Sequence, residues 1–245
     1  MSVQTRSDSY LDGRVVAIQP AAGYRAGTDA VMLAACVAAK PDESVLELGA
    51  GAGIASLCLS WRLPNVQLTL VERDRVYIDL ARLNLGEAAR VVEADILSLP
   101  TAITTKTFDH VMMNPPFYRH KDTDAHPLKS TAHFEETPLS EWIDAARRRL
   151  RPGGWLWAIH RAERLADFLT HMTGFGDISI LPIAARQGRA AKRILIGARK
   201  ASSGPSRLIS PFVMHDGNFH KDDGDDYSAN ARAVLREGAP IHLLE

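Results

Sequence analysis

Strand-like and helix-like patterns alternate along the middle of this chain, and that alternation restricts its fold more than any other feature. Ser44–Leu48 is a short apolar strand, Ile54–Trp61 is helical, and Val66–Val71 is a strand rich in branched residues. Arg75–Leu85 is helical with exposed arginines, and Arg90–Ala94 is another short strand. Phe108–Met113 is an apolar run of strand length. Leu139–Leu150 is amphipathic, with arginines in its last turn where a helix dipole favours cations. Pro152-Gly153-Gly154 punctuates the chain, and Trp155–His160 is a strand. Parallel neighbours need crossover connections, so this rhythm predicts a mostly parallel sheet with helices on both faces.

The rhythm changes after a helix near Glu163–Met172. Asp177–Ile183 and Lys192–Ala198 are strand-like with only the loop Ala184–Ala191 between them, which predicts an antiparallel hairpin. Residues 1–40 form an amino-terminal extension, with a hairpin near Val15–Ile18 and a helix across Asp29–Ala39 that packs on the site. Residues 41–200 form the main domain. Residues 201–245 form a carboxy-terminal extension, acidic at Asp222, Asp223, Asp225 and Asp226, with a short helix near Ser228–Leu235.

The chain of 245 residues is 46% hydrophobic, enough to bury a full core. Its formal net charge is zero, so it carries no global basic field. Cys36 and Cys58 lie in apolar, helix-like stretches without a CxxC partner, which predicts reduced, buried thiols. Met1–Tyr10 lacks the apolar core of a signal peptide, and no apolar run is long enough to span a bilayer. A cytoplasmic protein, monomeric or weakly dimeric, is expected.

Four strand ends carry the chemistry, and three of them suit a nucleoside-type ligand. Glu47-Leu48-Gly49-Ala50-Gly51-Ala52-Gly53 closes the first strand with a GxGxG loop, where glycines allow a sharp turn and close approach of a ligand to the main chain. The spacing is not the GxGxxG dinucleotide fingerprint. Glu72, followed by Arg73, ends the second strand, where a carboxylate can accept both ribose hydroxyls. Asp95 and Ile96 end the third, where they can meet an adenine. Each acid alone could be a helix cap; together, at successive strand ends, they point to a nucleoside-type ligand. The acidic Glu47 beside the loop suits a cationic sulfonium better than phosphate.

Asn114-Pro115-Pro116-Phe117 follows the fourth strand. Proline donates no N–H to a ladder, so two prolines stop the strand and force an extended, rigid turn. The turn presents an amide, a free carbonyl and an aromatic face, a set that suits a planar amide-like or base-like nitrogen. Accepting hydrogens at the Asn114 oxygen and the Pro115 carbonyl would localise a lone pair otherwise spread into the ring. Phe117 would stack on the extruded base, and such stacking is worth roughly 1–3 kcal/mol.

Glu47–Gly53, Glu72, Asp95 and Asn114–Phe117 resemble successive motifs of class I methyltransferases that use S-adenosylmethionine. The resemblance spans about Tyr24 to Ala198. It implies a Rossmann-like seven-stranded α/β sheet of order 3-2-1-4-5-7-6 whose last strand is antiparallel. It also implies methylation of an exocyclic or amide nitrogen. A closer resemblance is to bacterial tRNA (adenine-N6)-methyltransferases acting on a valine tRNA anticodon loop. Gly27-Thr28-Asp29-Ala30 looks like that group's amino-terminal segment, which places Thr28 and Asp29 beside the methionine end of the cofactor. Gly188-Arg189-Ala190-Ala191-Lys192-Arg193 before an Ile/Leu strand looks like it too. Phe117 departs from the tyrosine usual in adenine-specific members and is equally usual in guanine-N2 enzymes of ribosomal RNA. Guanine N2, protein glutamine and a non-catalytic RNA-binding module therefore stand as alternatives.

Two basic groups suit an RNA backbone. One is Arg186, Arg189, Lys192, Arg193, Arg199, Lys200 and Arg207, with no acidic residue among them in sequence. The other is Arg119, His120, Lys121 and Lys129, just after the proline turn. The bland reading is a strand edge guarded by cations. His120, His126 and His133 show no metal-ligand spacing, so no metal is expected. The four tryptophans, at 61, 142, 155 and 157, read as core packing.

Overall fold

The computed structural model describes residues 3–119, 134–135, 137–217 and 226–244. Its centre is a nine-stranded sheet. The hub strand is β3 (Ser44–Leu48), which pairs in parallel with β4 (Gln67–Glu72) on one side and β6 (Phe108–Met113) on the other. Beyond β4 lies β5 (Ala89–Glu93), and beyond β6 lies β9 (Leu150–Arg161). Past β9 comes β11 (Ala191–Lys200), antiparallel to both β9 and β10 (Phe175–Ala184). Taken in chain order the seven long strands thus run 3-2-1-4-5-7-6, with the last antiparallel, as expected. Two-residue strands β12 (Arg207–Leu208) and β13 (Phe212–Val213) extend the β10 edge in parallel and were not foreseen.

Helices cover both faces and divide the core in two. On one face α1 (Thr28–Cys36), α2 (Ile54–Arg62), α3 (Arg75–Leu85) and α7 (Ala229–Glu237) bury Leu33, Ile54, Leu59 and Val234 against Met112, Trp157 and Leu195. On the other, α5 (Leu139–Arg149) and α6 (Leu165–His171) bury Ile143 and Phe168 against Leu46, Val111 and Leu156. Strands buried on both faces read as continuous apolar runs rather than alternations, as Leu156–Ile159 of β9 does. A single turn, α4 (Thr101–Thr104), precedes β6. Strand β7 (Tyr118–Arg119) pairs in parallel with β8 (Phe134–Glu135).

The amino-terminal hairpin pairs β1 (Thr5–Tyr10) with β2 (Val15–Pro20). The Asn84 side chain of α3 both donates to and accepts from the Ile18 backbone, fixing the hairpin to the helices. At the far end of the chain the Ile241 N–H donates to the Ala35 carbonyl, so residues beyond α7 rest on α1. Cys36 and Cys58 are buried, and burial pushes both thiols up to about 12, where they are inert. Among the described residues no helix is long and apolar enough to cross a membrane.

Candidate active site

The carboxyl ends of β3, β4, β5 and β6 converge on one cavity of about 540 Å³, a volume in the range of ~300–1,000 Å³ that suits a nucleoside-sized ligand. Its floor is the glycine loop. The Gly49 and Ala50 N–H groups donate to the Val71 carbonyl, which folds the loop back over β4. Gly49, Gly51 and Gly53 all hold positive φ, of 67°, 55° and 78°. A Cβ on Gly49 would stand 2.5 Å from the Trp142 ring, and one on Gly53 would stand 2.7 Å from Leu85. Sterics therefore demand glycine at both positions.

The acids take distinct local roles. Glu72 accepts from the Gly51 N–H through one oxygen and from the Arg73 and Asp74 N–H groups through the other, at 2.8–2.9 Å. It braces the loop while facing the cavity. Asp95 accepts from the Leu97 N–H at 2.8 Å and pairs with Arg73 at 3.5 Å. Arg73 thus meets the acid of the next strand, and both line the cavity with Ile96.

Glu47 is 4% exposed and accepts from the Ser56 hydroxyl at 2.5 Å and the Ser56 N–H at 3.2 Å. Burial raises its carboxyl to about 7, against the opposing pull of the two Ser56 bonds. A buried carboxyl on this cavity wall is primed to meet a cation.

The proline turn forms the opposite wall, with Asn114, Pro115, Pro116 and Phe117 all lining the cavity. The Asn114 Oδ1 is buried and accepts no hydrogen bond among the described residues. The Trp142 indole N–H, also on the cavity, is likewise without an acceptor there. Buried polar atoms left unmatched at a cavity mark where a ligand's own polar atoms belong. Trp142 is therefore more than the core packing expected of it; its ring packs closely against the glycine loop.

Some expected residues stand elsewhere. Gly23, Tyr24, Ala26 and Ala30 bring the amino-terminal segment to the cavity, whereas Thr28 and Asp29 lie outside its lining. Asp29 instead holds Arg193 at 2.8 Å. The basic run 186–207 also divides. Arg186 is 8% exposed and pairs with Asp226 and with the Asp216 carbonyl, so it ties the carboxy-terminal segment down. Arg199 donates to the Gly153 carbonyl and Lys200 to the Leu150 carbonyl. Arg189 and Lys192 are exposed. Lys121, Lys129, His120, His126 and His133 lie outside the described residues, as do Asp222, Asp223 and Asp225. Among the described residues no cluster of three or more potential metal ligands occurs. Gln19 and Tyr24 on the cavity wall were missed, because neither sits at a strand end of the main sheet.

A glycine loop, two acids and an asparagine-proline turn at four adjacent strand ends of an α/β sheet line one cavity of nucleoside size, the arrangement of a group-transfer enzyme. The chain belongs to the methyltransferase small domain family, which matches residues 25–177, and is an S-adenosylmethionine-dependent methyltransferase. It is 31% identical over 209 residues to the tRNA1(Val) (adenine(37)-N6)-methyltransferase of Porphyromonas gingivalis, covering 80% of this chain and 81% of that one. It is 24% identical over 223 residues to the protein of the same name from Dickeya chrysanthemi, covering 87% of each. Among solved structures it is similar to a predicted O-methyltransferase from Agrobacterium tumefaciens, with a TM-score of 0.72 and 27% identity over 87% of this chain and 98% of that one.

The residues present fit S-adenosylmethionine. The Gly49–Gly53 loop lines the cavity with residues that lack side chains or carry only a methyl, Glu72 would offer carboxylate oxygens for hydroxyls, and Glu47 would offer a site for positive charge.

Proposed function

We propose that this chain methylates the N6 amine of an adenine in a tRNA, the reaction for which its curated relatives are named, and that the adenine lies in the anticodon loop. One observation carries the reading: Asn114 lines the cavity, and its buried Oδ1 has no donor among the described residues. An exocyclic amine brings the N–H it lacks. Gly49–Gly53, Glu72, Asp95, Ile96 and Glu47 would hold the cofactor. When bound, that cofactor supplies a methyl group already activated on a sulfonium, so the chain needs no acid or base to activate it.

The protein's work is positional. Asn114 and the Pro115 carbonyl would accept the two amine hydrogens and hold the nitrogen closer to tetrahedral. The rigid double proline fixes both acceptors relative to β6. Phe117 would stack on the base, which reaches the site extruded or from a loop. Arg189 and Lys192, exposed near the β11 end of the sheet, would meet phosphates. RNA modification of this kind suits a cytoplasmic protein, monomeric or weakly dimeric, with no metal.

The test is incubation with labelled S-adenosylmethionine and separated tRNA, ribosomal RNA and protein fractions, followed by nucleoside analysis. N6-methyladenosine in tRNA is expected. N2-methylguanosine in ribosomal RNA, or label in protein alone, would sink the assignment.

A further inference from the structure

The Phe117 ring is held from two sides. The Arg193 guanidinium lies over it, 4.7 Å from the ring centroid. The His160 ring meets it edge-on, at 5.2 Å between centroids. Arg193 is itself fixed: its Nε donates to Asp29 at 2.8 Å and its Nη1 to the Lys192 carbonyl at 3.3 Å. Asp29 is in the first turn of α1, Arg193 on β11 and Phe117 on the turn after β6. Three segments distant in sequence thus meet at one aromatic side chain.

We infer that Arg193, oriented by Asp29, is a positioning residue that locks the Phe117 ring as the stacking wall for a planar acceptor. This rests on the methyl-transfer reading above and assigns Arg193 a role other than phosphate contact. The guanidinium covers the ring on one side, and Phe117 also lines the cavity that the acceptor would enter. A cation on one face also draws electron density from the ring and stiffens it against rotation. Two of the guanidinium's donors are already committed, to a carboxylate and a carbonyl, and its Cζ lies over the ring. A phosphate-binding arginine keeps its fork open to solvent, as the exposed Arg189 can.

Arg193→Ala, Arg193→Lys, Asp29→Asn and Arg189→Ala are compared with wild type on whichever RNA or protein fraction the wild type labels. A wild type that labels no tRNA sinks the function proposed above without touching this comparison. For Arg193→Ala, kcat is expected to fall roughly ten- to a hundred-fold, with KM for the acceptor changed far less. Arg193→Lys keeps a cation near the ring and is expected to recover part of the loss; Asp29→Asn shifts kcat the same way as Arg193→Ala, by less. The salt dependence of RNA binding is expected to keep its slope in Arg193→Ala and to lose about one unit of slope in Arg189→Ala. A cofactor-induced rise in melting temperature verifies that each variant folds. If Arg193→Ala loses a unit of salt slope and keeps its kcat, Arg193 is a phosphate contact and the inference is overturned.

Discussion

The Trp142 ring covers Gly49 so closely that a Cβ on residue 49 would lie 2.5 Å from its Cη2 carbon. Gly49 also holds a φ of +67°, which a residue with a Cβ adopts at a cost. Gly49→Ala therefore meets both steric overpacking and backbone strain, together about 2–4 kcal/mol. Thermal unfolding with and without S-adenosylmethionine should show a lower melting temperature and a smaller cofactor-induced shift. An alanine variant with wild-type values for both would remove the cradle role.

Asn114→Ala separates chemistry from stability. Its Oδ1 is a buried acceptor without a donor, so deleting it relieves an unmatched polar group. The melting temperature of the free protein should hold or rise. Turnover should fall about a hundred-fold or more, because the amine loses its oriented acceptor. Cofactor affinity by calorimetry should change little. Wild-type turnover in this variant would refute the role.

Glu47 links cofactor affinity to pH. Its carboxyl is raised from 4.5 to about 7 by burial, so between those values the folded protein holds a proton that the unfolded chain releases. This group's contribution to folding therefore declines as pH climbs from 4.5 to 7. A cation bound beside it favours the ionised form, so cofactor affinity should rise with pH up to about 7 and then level off. Glu47→Gln should flatten that rise in titrations from pH 5.5 to 8.5. An equally steep profile in the variant would place the titrating group elsewhere.

Asp109 sets an acid limit on the fold. Burial alone would raise it, but the Ser44 N–H, Arg151 and the Ser44 hydroxyl hold its carboxyl down to about 2. Its contribution is complete above the unfolded value of 3.8 and disappears as pH falls through 2. That contribution is about 1–2 kcal/mol, since the Arg151 partner is half exposed. Asp109→Asn should lower the chemical-denaturation midpoint at pH 7 and converge with wild type near pH 2. A constant gap across that range would mean the asparagine acts through packing.

The parallel core was legible because its strands are apolar runs bounded by glycine, proline or strand-end acids. Phe108–Met113 and Arg75–Leu85 coincide with their elements to the residue. Other boundaries moved for physical reasons. Strand β9 begins at Leu150, since the chain passes through Pro152-Gly153-Gly154 with a register shift opposite β6. Strand β1 is polar and mostly exposed, so Thr5–Tyr10 reads as a tail until β2 pairs with it. Strands β12 and β13 have two residues each, too short for any periodicity. The glycine loop, Glu72, Asp95 and Asn114 were legible as strand-end residues. The partners of Asp29, Arg186 and Arg193 were not, because each pair is closed by tertiary folding across 40 or 164 residues. Charge counted along the sequence made 186–207 uniformly basic; in space Asp226 neutralises Arg186.

Asp29 and Arg193 also bear on the order in which this protein becomes competent during synthesis. The ribosome makes the chain from its amino end, and the glycine loop, Glu72, Asp95 and the proline turn all emerge well before residue 193. A nascent chain that has reached the proline turn therefore holds every strand-end residue of the cavity while Phe117 still lacks the guanidinium that covers it. The last ingredient arrives with β11, the strand that inserts between β9 and β10 and closes the sheet. Vectorial synthesis thereby separates the proposed cofactor cradle from the proposed acceptor wall, and an unfinished chain would be left holding half a site.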